Sequence, residues 1–107
     1  MKLSPESLEA FAHAASLGSF SAAARQLGKS QSTVSEAISR LEIDLGLTLF
    51  DRTGKSPVLS AAGQALLGRV EEVLSASDRL QRTASALAGG LESRLTLVLS
   101  DAYQSEH

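Results

Sequence analysis

Three glycines, at positions 18, 28 and 46, divide the stretch from Gly18 to Arg52 into a short and a longer segment. Ser21 is placed to cap the short one, Ala22 to Leu27, whose alanines allow close packing, and Ser30 to cap the longer one. Gly28 closes the short segment in the left-handed conformation that glycine adopts cheaply. A short helix, a tight turn and a second helix with a small-residue polar face turned outward is how a helix-turn-helix presents one helix to the major groove of DNA. No other part of the sequence restricts the fold as strongly.

At about 100° per residue, Val34, Ile38, Leu41 and Leu45 fall in one narrow arc of the longer helix and are expected to face a core. Ser32, Ser35, Glu36, Ser39 and Arg40 lie on or beside the opposite side, with Gln31 at the exposed N-terminal end. Upstream, Ser4-Pro5-Glu6 is a helix start: a serine cap, proline at the first helical position and an acid in the first turn. Leu8, Phe11, Ala12 and Ala15 then recur at helical spacing until Gly18. Downstream of Gly46, apolar Leu47 to Phe50 and Val58 to Ser60 flank the loop Asp51-Arg52-Thr53-Gly54-Lys55-Ser56-Pro57, which predicts a small β-hairpin, or wing.

Ser60 is the expected cap of a long fourth helix reaching Ala88. Leu66, Val70, Val73, Ser77, Leu80, Ala84 and Leu87 recur at spacings of four and three, a heptad seam that Leu67 and Leu74 broaden. Such a helix would be about 42 Å long and would need a partner. Gly89-Gly90 is expected to break it, and Leu95-Thr96-Leu97-Val98-Leu99 to form a buried strand. One strand does not make a domain, so the sequence reads as the front piece of a longer protein.

The formal net charge of −2 sits oddly with a DNA interface, since phosphate contacts dominate duplex affinity. The distribution matters more than the sum. Arg25, Lys29, Arg40, Arg52 and Lys55 lie in the helix-turn-helix and just after it, whereas Glu71, Glu72, Asp78, Glu92, Asp101 and Glu106 make the remainder acidic. The chain has no cysteine, which removes disulfides, thiolate metal sites and thiol catalysis. His13 and His107 stand alone, so no metal site is expected. Neither a nucleophile motif nor a glycine-rich phosphate loop accompanies the serines and acids, and neither catalysis nor a cofactor is expected. No secretory signal and no bilayer-spanning stretch is visible, so the expected location is cytoplasmic.

The order of Leu8-Glu9-Ala10-Phe11, Gly18-Ser19-Phe20-Ser21-Ala22-Ala23-Ala24, Ser30-Gln31-Ser32, Val34-Ser35, Ile38, Leu41-Glu42, Leu45-Gly46, Leu49-Phe50 and Arg52 resembles the LysR-type bacterial transcriptional regulators. Ser60-Ala61-Ala62-Gly63 resembles the start of their linker helix. The resemblance implies a mainly α fold with a winged helix-turn-helix over residues 1–59, a dimerising linker helix over 60–88, and over 89–107 a hinge and the first strand of an effector-binding domain. It also implies sequence-specific binding of an interrupted dyad operator by a homodimer or tetramer, with a small-molecule effector acting through the C-terminal domain. Ser100, Asp101 and Tyr103 would belong to that domain's cleft.

The residues on the outward face suit that role. Gln31 can both donate to and accept from a base edge, which favours adenine. Ser32, Thr33, Ser35 and Ser39 are short enough to let the helix sit deep, and the free amides at its N-terminus favour phosphate. Lys29 and Arg40 lie beside the reading face. Arg52 and Lys55 in the wing would meet phosphates or enter the minor groove. Many family members have proline where this chain has Ser32 and a base where it has Glu36. An acid there repels phosphate but can accept from the cytosine amino group. The dimer seam is assigned to Leu66, Val70, Val73, Leu74, Leu80, Ala84 and Leu87. Each site residue also has an ordinary alternative: Arg52 paired with Asp51 or Glu42, Arg40 with Glu36, Arg25 and Lys29 as surface charges, the seam as internal packing. Two other functions fit the pattern less fully: a molybdate-responsive winged-helix regulator, and a helical interaction module in which DNA plays no part.

Overall fold

Serines open the first three helices and glycines close them. The computed structural model describes the backbone from Lys2 to Ser100 and side-chain surroundings from Lys2 to Gly90. Helix α1 spans Pro5–Leu17, with Ser4 Oγ accepting the Ser7 N–H at 3.1 Å and Pro5 in the first turn. Helix α2 spans Phe20–Leu27, and α3 spans Gln31–Leu45, capped by Ser30 Oγ on the Thr33 N–H at 3.1 Å. The turn joining α2 to α3 depends on Gly28, whose φ of 68° is one that a β-carbon disfavours.

The cap of α2 differs from the expectation. Ser19, not Ser21, accepts the Ala22 N–H, at 3.0 Å, so the helix begins two residues earlier. The gain is the burial of Phe20 in the first turn, where its ring meets Phe50 edge-on at 5.2 Å. Ser21 is left on the surface side, accepting from Arg25 Nη1 at 3.1 Å.

The core follows from these placements. Phe11, Val34, Ile38, Leu41 and Leu49 are fully buried, with Ala10, Ala14, Ala23 and Ala24 letting α1, α2 and α3 approach closely. Phe50 completes an aromatic cluster, 5.7 Å from Phe11 and again edge-on. Burying each such large side chain stabilises the fold by roughly 1.5–3 kcal/mol.

Strands β1 (Phe50–Asp51) and β2 (Val58–Leu59) pair antiparallel, Phe50 opposite Leu59 and Asp51 opposite Val58, and form the wing. Strands this short do not hold themselves. Glu42 of α3 supports them: its Oε2 accepts the N–H groups of Leu49, at 2.8 Å, and Phe50, at 3.2 Å. Ser60 secures the far side, donating its hydroxyl to the Thr48 carbonyl, its N–H to the Leu49 carbonyl at 2.9 Å, and accepting the Gly63 N–H at 2.9 Å.

Helix α4 spans Ala61–Ser100. It passes through Gly89 and Gly90, where a break was expected, and residues 95–99, expected as a strand, are helical. A helical glycine costs only about 1 kcal/mol relative to alanine, and among the described residues the strands are β1 and β2, which pair with each other. Residues 101–107, including the expected cleft residues Asp101 and Tyr103, lie outside the described residues. Two compact units divide the chain, Met1–Leu74 and Ser75–His107. In the first, Val70 is buried in the core and Leu66, Leu67 and Leu74 pack against it. In the second, every described side chain from Ser75 to Gly90 is exposed or, at Ser77, partly so. The fold is mainly helical, with a helix-turn-helix, a two-stranded wing and a long final helix.

Candidate nucleic-acid interface

The buried side of α3, Val34, Ile38 and Leu41, fixes which side faces out. Gln31, Ser32, Thr33, Glu36 and Arg40 are exposed, and Ser35 and Ser39 are partly so. Ile43, 79% exposed, continues the same outward face toward the helix C-terminus, a residue that the polar pattern did not single out. At the entry, Ser30 Oγ lies 3.2 Å from Ser32 Oγ and 2.8 Å from Thr33 Oγ1, a cluster of hydroxyls beside the free amides of the first turn.

Two grooves of similar size flank this helix. One, of about 330 Å³, is lined by Gln31 and Ser35 of α3, by Ser19, Phe20 and Ser21 at the start of α2, and by Arg52, Gly54, Lys55, Ser56 and Pro57 of the wing. It brings two of the expected base-facing side chains together with both wing cations. The other, of about 320 Å³, lies between the start of α1 and α3, where Lys29, Thr33, Glu36 and Arg40 line it with Glu6 and Glu9. The ten expected DNA-facing residues thus divide: Gln31, Ser35, Arg52 and Lys55 on the wing side, Lys29, Thr33, Glu36 and Arg40 on the α1 side, Ser32 and Ser39 in neither lining.

Arg52 is the most constrained of the cations. Its Nη2 lies 3.7 Å from Glu42 Oε1, its Nη1 donates to Ser35 Oγ at 3.3 Å, and its guanidinium carbon stands 4.8 Å from the centre of the Phe20 ring. The pairing with Glu42, one of its two ordinary alternatives, is therefore formed. Asp51 instead accepts from the Thr53 N–H at 3.0 Å and the Thr53 hydroxyl at 2.8 Å, bonds that hold its carboxyl below the usual carboxylate range. Among the described residues the ion pairs are Arg52–Glu42 and Arg69–Glu72, so Arg40 makes no ion pair with Glu36. Phe20 and Glu42 were not singled out as site residues. Phe20 is the one aromatic in a run of small residues, and the sequence marked Glu42 only as an alternative partner of Arg52 and as part of the family pattern.

The assigned dimer seam separates into two sets. Val70 is buried in the chain's own core, and Leu66 and Leu74 pack against it partly buried. Val73, Leu80 and Leu87 stand 53%, 70% and 63% exposed, and Ala84 is exposed with them. Heptad spacing could not separate the two sets, because Leu66 and Val70 lie on the same seam as Val73, Leu80, Ala84 and Leu87.

A three-helix head with an exposed polar third helix and a flanking wing defines a winged helix-turn-helix protein. Residues 5–64 match the family of bacterial regulatory helix-turn-helix proteins of lysR type, and the chain belongs to that family. The HTH-type transcriptional regulator AceR of Acinetobacter baumannii is 43% identical over 99 residues, covering 92% of this chain and 33% of that protein. Among solved structures, a CbnR_DBD-DNA complex superposes with a TM-score of 0.72 at 32% identity, covering 79% of this chain and 98% of that one. A Corynebacterium glutamicum OxyR C206 mutant gives a TM-score of 0.77 at 28% identity, covering 80% of this chain and 28% of that one. The chain thus spans about a third of the length of AceR. Among the described residues no helix is long and apolar enough to cross a membrane.

Proposed function

We propose that this chain is the operator-reading and dimerising part of a cytoplasmic bacterial transcriptional regulator. One observation carries the reading: the polar face of α3 is free because its opposite face is buried, and it opens into a groove shared with both wing cations. Gln31, Ser32, Thr33 and Ser35 meet base edges and nearby phosphates, Arg52 and Lys55 secure the flank, and Lys29, Ser39 and Arg40 follow the backbone. Glu36 favours cytosine through its amino group at some cost in general affinity. The likeness of fold to a CbnR_DBD-DNA complex supports DNA as the partner.

The second copy belongs on Val73, Leu80, Ala84 and Leu87. Val73 and Leu80 lie on either side of Ser77, so an antiparallel copy matches Val73 to Leu80 and sets Ser77 near its counterpart. Two heads joined this way read an interrupted dyad in successive major grooves. Residues 89–107 lead into an effector-binding domain, where a small molecule acts and further contacts build a tetramer. The match to the lysR-type family model decides against the molybdate-responsive class.

Selection from a random duplex pool, followed by anisotropy across a salt series, tests this reading. Enrichment of an interrupted palindrome and affinity that falls steeply with salt are expected. A folded dimer that enriches nothing would leave the helical interaction module as the function.

A further inference from the structure

The side chain of Arg52 is held by three side chains of two helices. Besides its contacts to Ser35 of α3 and Phe20 of α2, it faces Glu42, whose other oxygen is fixed by the Leu49 and Phe50 N–H groups at the entrance to the wing. Phe20 is itself wedged against Phe50. A side chain bound in this way has a set direction, and that direction delivers an N–H to Ser35.

The chemistry of the two groups gives this contact a polarity. A guanidinium offers only donors, whereas a hydroxyl carries one donor and two lone pairs. With Arg52 donating into a lone pair of Ser35 Oγ, the cation repels the hydroxyl proton, which turns away from it. Among the described residues no protein acceptor takes that proton. Ser35 therefore presents a donor to whatever lies in the groove. The hydroxyls of Ser30, Ser32 and Thr33 differ, since they bond one another and either member of each pair can donate.

We propose that Arg52 is a positioning residue that turns the Ser35 hydroxyl to donate toward a base edge. In the major groove guanine, adenine and thymine each offer an acceptor, whereas cytosine offers only its amino donor. The Ser35 position therefore favours the first three over cytosine on the contacted strand, which could meet only the one lone pair that Arg52 leaves free. The inference rests on α3 reading DNA and names the rule by which one of its residues reads.

The test compares the 107-residue chain with its Ser35→Ala, Arg52→Lys and Ser35→Ala/Arg52→Lys variants, each selected against the same random duplex pool. Lysine keeps the charge but lacks the fork that reaches Ser35 while facing Glu42. The wild-type chain is expected to disfavour cytosine about fivefold at one operator position, the discrimination that one hydrogen bond supplies. Ser35→Ala and Arg52→Lys should each erase that one preference, and the double variant should erase no more. Ser35→Ala leaves the anchors of Arg52 in place, so it remains decisive if Arg52→Lys unfolds the wing. If both variants still disfavour cytosine, or if Arg52→Lys weakens all sequences equally and leaves that preference intact, the proposal is overturned and Arg52 serves only as a flank contact. A wild-type chain that selects no sequence would overturn the DNA reading itself, and the proposal with it.

Discussion

Helix α3 and the Ser75–Gly90 part of α4 are both helices with regularly spaced apolar residues, yet the residues meet different fates. In α3, Val34, Ile38 and Leu41 are buried by α1 and α2, and the polar side is left free. In Ser75–Gly90 it is the apolar side that is exposed, with Leu80 and Leu87 open to solvent. The first arrangement is complete as it stands and offers a polar surface to a polar polymer. The second leaves repeating leucines uncovered along one face, which is where the proposed second copy would lie.

Breaking the buried side of α3 has the largest effect. Ile38→Ala is expected to destabilise the head by about 2–5 kcal/mol, read as a lowered midpoint in urea unfolding. A cost below about 1 kcal/mol would mean that α3 is not anchored as described. On the other helix, Leu80→Glu should leave the unfolding midpoint of the head unchanged. It should convert a dimer to a monomer in sedimentation and weaken binding to a two-half-site duplex about a hundredfold, through lost avidity. An unchanged sedimentation profile would show that the leucine stripe serves some other purpose.

A smaller effect tests the junction between α4 and the wing. A β-carbon on Gly63 would collide with the Leu49 carbonyl oxygen and come within 2.7 Å of Leu59 Cδ2. Gly63→Ala should therefore cost about 1–3 kcal/mol, with the loss concentrated at the wing in hydrogen exchange. The smallest effect concerns Asp51. Its carboxyl titrates below the usual range because Thr53 donates two hydrogen bonds to the charged form. A depressed folded-state pKa gives stability that is present above the ordinary carboxylate pKa and lost as the pH falls through the folded value. The Thr53 amide resonance should accordingly hold its position until the pH falls below the usual carboxylate range. Movement at ordinary carboxylate pH would contradict the bond.

Much of this could be read from residue order. The two faces of α3 were legible because burial and exposure alternate at the helical period, and the wing because its apolar ends bracket glycine and proline. Ser19 was missed as the cap of α2 because Ser19 and Ser21 both suit the role locally; the burial of Phe20 decides between them. The strand expected at 95–99 rested on composition, and composition does not supply a neighbouring strand. The division of the heptad seam was hidden for a related reason, since spacing records that a residue wants cover and not which chain provides it. The contacts of Arg52 were the hardest to foresee: Ser35 lies 17 positions away in sequence, and Phe20 lies still farther.

The central claim is that the exposed face of α3, with the wing, is where DNA lies. Backbone amide chemical shifts followed while a selected duplex is added test it most directly. Shifts are expected at Gln31, Ser32, Ser35, Arg52 and Lys55, with Leu80 and Leu87 unmoved. Shifts confined to the leucine stripe, or none at saturating duplex, would contradict it.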